Sequence, residues 1–133
     1  MLRQNRYRDS GFIRSPQELE LIQGEILVSK EYDIVIALEP EQVENFEELQ
    51  IFIMKVIREI PKFDNETQDY YETISTDTDF PHSLSVLYIE DNSVVLDYWS
   101  DLENNQFSII FNFENEVWRL KKWNAKDVPV DWR

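Results

Sequence analysis

The side chains able to do chemistry in this sequence are few and stand apart from one another. The single histidine, His82, follows Pro81 where a polar loop gives way to an apolar run. A histidine works as a base or metal ligand only when partners converge on it. Here there is no cysteine, no second histidine and no serine in a nucleophile elbow, so His82 reads as an ordinary surface or capping residue. Asp64, Glu66 and Asp69, and separately Asp77 and Asp79, offer the oxygen ligands that calcium takes at alternate loop positions. Neither segment has the glycine or the distal bidentate glutamate of the helical-loop calcium motif. Asp64 is therefore expected to cap a helix, and the loop STDTDFPH to be solvated turn chemistry; no metal site is expected. Paired carboxylates for glycoside hydrolysis cannot be assigned by spacing, because in a chain with 27 acids some pair always falls close. Two glycines, Gly11 and Gly24, are too few for a phosphate-cradling loop. The expectation is a protein that is not an enzyme and needs no cofactor.

Charge is the stronger signal. The stretch VVLDYWSDLENNQFSIIFNFENEVW, residues 94–118, holds five carboxylates and no Lys or Arg, and no basic residue falls between Lys62 and Arg119. The whole chain carries a net charge of -14, and four of its 13 basic residues, Arg3, Arg6, Arg8 and Arg14, crowd the start, which reads as a solvated or edge-packing arm. Phosphates would meet a repelling field, so nucleic acid and anionic membrane surfaces are excluded as partners, and a basic partner is favoured. Trp99, Trp118, Trp123 and Trp132 with Tyr88 and Tyr98 resemble a base-stacking platform in composition, but such platforms line a positive groove, and this region is negative. Core packing is the default for most of these rings. Trp99 is the exception, because alternation places it on the outer face with Asp97. Arg119, Lys121, Lys122 and Lys126 form a basic cluster that can pair with the acidic surface or orient a dipolar molecule during encounter.

The elements that must carry these residues follow from periodicity. LELIQGEILVS (19–29) and YDIVIALE (32–39) read as two strands with a hairpin at Ser29-Lys30-Glu31. Pro40 starts a helix whose apolar residues Val43, Phe46, Leu49, Phe52, Ile53, Val56, Ile57 and Ile60 recur at three- and four-residue steps. Pro61 is expected to end it, and Asp64 to cap a second, shorter helix through about Ser75 that turns Tyr70, Tyr71 and Ile74 inward. From Ser83 the period becomes 2, giving strands 83–90, 93–99, 106–113 and 116–122 in an antiparallel meander. Phe107, Ile109, Phe111 and Phe113 share a core face; Ser108, Ile110, Asn112 and Glu114 share a wet one. The fold class is α+β: a curved, mainly antiparallel sheet of about six strands packed against one long and one short helix, in one domain spanning 1–133.

A chain of 133 residues with 42% hydrophobic and 14% aromatic content buries roughly two thirds of its unfolded surface around one core. Without cysteine it must hold together by burial and hydrogen bonding alone, which suits a reducing cytoplasm. No run approaches 18 apolar residues, and MLRQNRYRDSGFIRSP lacks the apolar stretch of a secretory signal; a cytoplasmic protein is expected.

The helix EQVENFEELQIFIMKVIREIPKFDNETQDYYETI followed by SLSVLYIEDNSVVLDYWSDLENNQFSIIFNFENEVWRLKKW resembles, in organisation across most of the chain, the small acidic immunity proteins of bacterial contact-dependent inhibition and polymorphic toxin systems. The resemblance implies binding and neutralising a cognate toxin domain, often a nuclease. These families have no motif from which functional residues transfer, so the expected interface rests on charge and alternation: Asp97, Trp99, Asp101, Glu103, Asn112 and Glu114, joined by Asp77 and Asp79. The expected state is a monomer in a 1:1 complex with a basic toxin. The alternative is a small-molecule-binding or enzymatic α+β domain with a pocket between helix and sheet lined by Tyr70, Tyr71, Tyr88 and Tyr98. A subunit burying its sheet against a like copy is a third arrangement, opposed by like charge.

Overall fold

The computed structural model describes residues 6–74 and 80–121. Single 3-10 turns at Asp9–Gly11 and Pro16–Glu18 lead into strands β1 (Leu21–Ile22), β2 (Glu25–Leu27) and β3 (Val35–Ala37). Helices α1 (Pro40–Glu44) and α2 (Phe46–Ile74) follow, then β4 (Ser83–Glu90), β5 (Ser93–Ser100), β6 (Asn105–Glu114) and β7 (Val117–Leu120). All seven strands form one open sheet in chain order. Every neighbouring pair is antiparallel except β3 and β4, which run parallel. A parallel pair needs a crossover, and α1 with α2 supplies it. The architecture is thus the expected α+β arrangement, with seven strands where about six were anticipated.

The additional strand comes from the first apolar run. It folds back on itself at Gln23 and Gly24, both at positive φ (53° and 79°), the backbone that a two-residue hairpin turn demands. Leu21 then faces Ile26, and Ile22 faces Glu25. The meander falls where alternation put it, to within one residue at most strand ends.

Helix α2 corrects the reading of Pro61. The proline lies inside one continuous 29-residue helix, and the break in helicity comes earlier, at Asn45, whose side chain donates to the Glu41 carbonyl. An internal proline costs about 3 kcal/mol through its missing N–H and its ring. Beyond it the same face buries Phe63, Thr67, Tyr70 and Tyr71, each large apolar group contributing about 1.5–3 kcal/mol, so continuing the helix wins. Asp64 consequently caps nothing; it is fully buried in mid-helix.

One face of the sheet packs under α2. Across the strands, Leu21, Ile26, Ile36, Leu87, Leu96 and Ile109 fall in register on that inner face. Phe63 of the helix meets Phe111 at 4.6 Å between ring centres, and Tyr71 meets Phe107 at 5.5 Å. Of the expected solvated or edge-packing arm, the described part packs inward at Arg6, Tyr7, Phe12 and Ile13, while Arg8 and Arg14 stay exposed. The Arg6 guanidinium donates to both Asp64 oxygens (2.7 and 3.0 Å) and to the carbonyl of His82 (2.8 Å). Tyr98 and Gln68 donate to the same carboxylate at 2.8 and 2.9 Å. Burial, and then the Asp64 charge, push the Tyr98 phenol well above its ordinary pKa, so it stays a donor.

His82 is also interior, 3% exposed, stacked on Phe80 and edged by Tyr71, with Nε2 2.5 Å from the Asn105 side-chain oxygen. Its Nδ1 is buried without a hydrogen-bond partner. That arrangement suits a neutral ring protonated at Nε2, and burial lowers its pKa. The surface or capping role expected for it is therefore corrected. Among the described residues no helix is long and apolar enough to cross a membrane.

Candidate functional site

The outer face of the sheet is left uncovered by the helices, and it gathers most of the residues singled out by charge and alternation. Along β5 the side chains of Asp97 and Trp99 point away from the core, while their neighbours Leu96 and Tyr98 are buried beneath. A β-bulge helps set this: between Leu84 and Val86 the register shifts, so that Leu84 still faces Tyr98 inside while Val86 faces Asp97 outside.

Asp97 is half-buried and accepts a 2.6 Å hydrogen bond from Ser108 Oγ on β6. Trp99, 43% exposed, donates its indole N–H to Asp101 at 2.8 Å. The turn that follows is fixed by the Glu103 backbone N–H, which donates to Ser100 Oγ at 3.0 Å. Asp97, Trp99, Asp101 and Glu103 are thereby held together at one end of the outer face. Asn112 and Glu114 share that face but lie farther along β6, opposite Ser93 and Val117. Trp99 pairs with Gln106, eight residues from Glu114, a span of about 26 Å at strand rise. The six residues thus line one face without forming one cluster. Asp77 and Asp79 lie outside the described residues.

Two features of this face escaped the sequence reading. Leu102, 88% exposed, projects from the β5–β6 turn between Asp101 and Glu103. An isolated leucine in the polar run SDLENN was the available signal. The second feature is an apolar row on this solvent-facing side. Ile22, Glu25, Ala37, Tyr88, Val95 and Ile110 lie in register across six strands, and beside them run Leu27, Val35 and Val86, then Asp97 and Ser108. The row is apolar except for Glu25, and Asp97 and Ser108 border it on β5 and β6. Val95 and Ile110 occupy outward positions of alternating strands, and their type was the signal.

Three depressions bear on the alternative of a ligand pocket. One of about 540 Å³ on the outer side of β1–β3 is lined by Ile22, Leu27 and Val35 together with Glu18, Glu20 and Glu25. A second, of about 230 Å³, lies around Tyr88. A third, of about 590 Å³ between α2 and β7, is lined by Glu66, Tyr70, Trp118 and Arg119 among others, and burial raises the pKa of the Glu66 carboxyl there. The four tyrosines do not line a common pocket: Tyr71 and Tyr98 are packed in the core, Tyr70 borders the third depression, and Tyr88 is on the opposite side of the sheet. Among the described residues no three His, Asp or Glu side chains converge in a way that would hold a metal ion.

Comparison with protein-family models, with curated proteins and with solved structures returned no match. The functional reading therefore rests on the outer face itself.

Proposed function

We propose that this protein is a binding module for a basic protein, and that, in keeping with its resemblance to the small acidic immunity proteins, it neutralises a cognate toxin domain. The observation that supports this most directly is the end of the sheet at β5–β6. There an exposed indole is fixed by its own hydrogen bond to Asp101 and is flanked by Leu102, Asp97 and Glu103. A pre-fixed aromatic ring loses little freedom on docking and supplies the buried anchor that slows dissociation. Carboxylates around it, with no basic residue on β4, β5 or β6, steer an oppositely charged partner and raise its association rate to about 10⁸ M⁻¹s⁻¹ or more at low salt.

Affinity capture with the full chain from its native cell is expected to return one dominant basic protein. Reversing Asp97 and Asp101 to Lys should then slow association with that protein at least about tenfold at low ionic strength, with the difference shrinking as the Debye length contracts from about 30 Å at 0.01 M to about 3 Å at 1 M. An unchanged association rate, or a dominant partner that is itself acidic, would refute this reading.

A further inference from the structure

The apolar row of the outer face and the acids beside it meet around Tyr88. Its ring is 38% exposed on β4, beside Ala37 of the parallel neighbour β3 and Val95 of β5. The depression of about 230 Å³ at this point is lined by these three residues and by three acids, Glu39, Glu90 and Asp97. The wall toward α1 is fixed: Gln42 donates to the Ile89 carbonyl at 2.7 Å and accepts from the Glu39 backbone N–H at 2.8 Å. No Lys or Arg contributes to it.

We propose that this depression seats an arginine side chain presented by an otherwise apolar segment of the partner, with the guanidinium over the Tyr88 ring between Glu39, Glu90 and Asp97, and its flanking residues on the apolar row toward Ile110.

Complementarity decides the occupant. An acidic or neutral polar side chain would be desolvated against three carboxylates with nothing to gain. A purely apolar one would strip water from those carboxylates without replacing their hydrogen bonds. A guanidinium satisfies both demands, because its flat face stacks on a phenol while its edge donates to carboxylates, and its weaker hydration makes it cheaper to strip than an ammonium. Its aliphatic stem would lie along Ala37 and Val95. A second copy of the chain is disfavoured, since face-to-face pairing would bring Glu25, Glu90 and Asp97 against their equivalents. The inference rests on the basic-partner reading and names a site for it on the strand next to that of Trp99, where Val95, the cross-strand partner of Tyr88, is four residues from Trp99.

The test uses a random 12-residue phage-displayed peptide library panned against the immobilised full chain. Enriched peptides are synthesised and titrated against wild type, Tyr88→Ala and Trp99→Ala, each first shown by thermal melting to be folded. The expected result is enrichment of Arg next to apolar residues, and an affinity loss of about tenfold or more in Tyr88→Ala that exceeds the loss in Trp99→Ala. Arginine-bearing peptides that keep their affinity in Tyr88→Ala and lose it in Trp99→Ala overturn the Tyr88 site and leave the basic-partner reading standing. Peptides without Arg or Lys, or no enrichment, overturn both.

Two further outcomes overturn the site by giving the face another occupant. One is a dimer in sedimentation that Tyr88→Ala abolishes. The other is intramolecular crosslinking to residues 122–133 from p-benzoylphenylalanine in place of Val95, in the absence of peptide.

Discussion

Two carboxylates on opposite sides of one sheet are held on different terms. Tyr98 and Asp97 are neighbours on β5, so alternation sends the first inward and the second outward. Tyr98 donates inward to Asp64, which has also drawn in Arg6 and Gln68 and is fully enclosed. Asp97 has Ser108 and the solvent. The inner acid is surrounded by the donors its burial requires, and it fixes the position of the N-terminal arm, α2 and β5 at once. The outer acid is left with unused acceptor capacity. A sheet with one structural face and one free face puts the same side chain to opposite uses, and the number of donors around each acid tells them apart.

The comparison can be broken at its strong end first. Arg6→Ala leaves the enclosed Asp64 carboxylate without its counter-charge, and loss of one partner of a buried pair costs about 3–5 kcal/mol. Urea denaturation of the variant against wild type measures it, and a loss under about 1 kcal/mol would put Asp64 in the same class as the outer acids.

A smaller effect is expected from the other buried titratable group of the inner face. His82 has its pKa lowered by burial, so below the ordinary histidine value of about 6.5 the unfolded chain takes up a proton that the folded chain refuses. Stability contributed by the neutral ring is therefore complete above that value and falls as pH drops through it toward the folded-state pKa. Denaturation midpoints taken between pH 7.5 and 5 should decline more steeply in wild type than in His82→Gln, which keeps an amide donor for Asn105. Parallel slopes would show that the ring ionises without penalty.

The smallest effect belongs to the outer face. The Asp97 and Asp101 reversals that slow partner association should change unfolding free energy by no more than about 1 kcal/mol, the scale of screened surface charges and one partly exposed hydrogen bond. A larger change would make those acids structural.

Periodicity made the meander and the apolar stripe of α2 legible, because a face that must be buried writes its repeat into the residues. Alternation likewise sorted Asp97, Trp99, Asn112 and Glu114 onto the outside. Three features were hidden for a common reason: they depend on contacts between residues far apart in the chain. Pro61 stays helical because Phe63 and Asp64 find partners on the sheet and the arm. Arg6 and Asp64 are 58 positions apart, and nothing local marks them as a pair. The apolar row through Tyr88 exists only once six strands align, so each outward Val or Ile looks like an isolated lapse in the pattern. Leu102 and the Gln23–Gly24 turn were different, being local signals that length and polarity arguments passed over.

The one parallel seam of the sheet has a kinetic meaning. The pairs from β4 to β7 are closed by short turns, whereas β3 meets β4 only after the chain has wound through both helices, a long loop whose closure is entropically costly. The row containing Ala37 and Tyr88 crosses that seam. The Tyr88 depression, shared by both sides, therefore becomes complete only with the least local strand join, and a chain lacking that join would have no such site to offer.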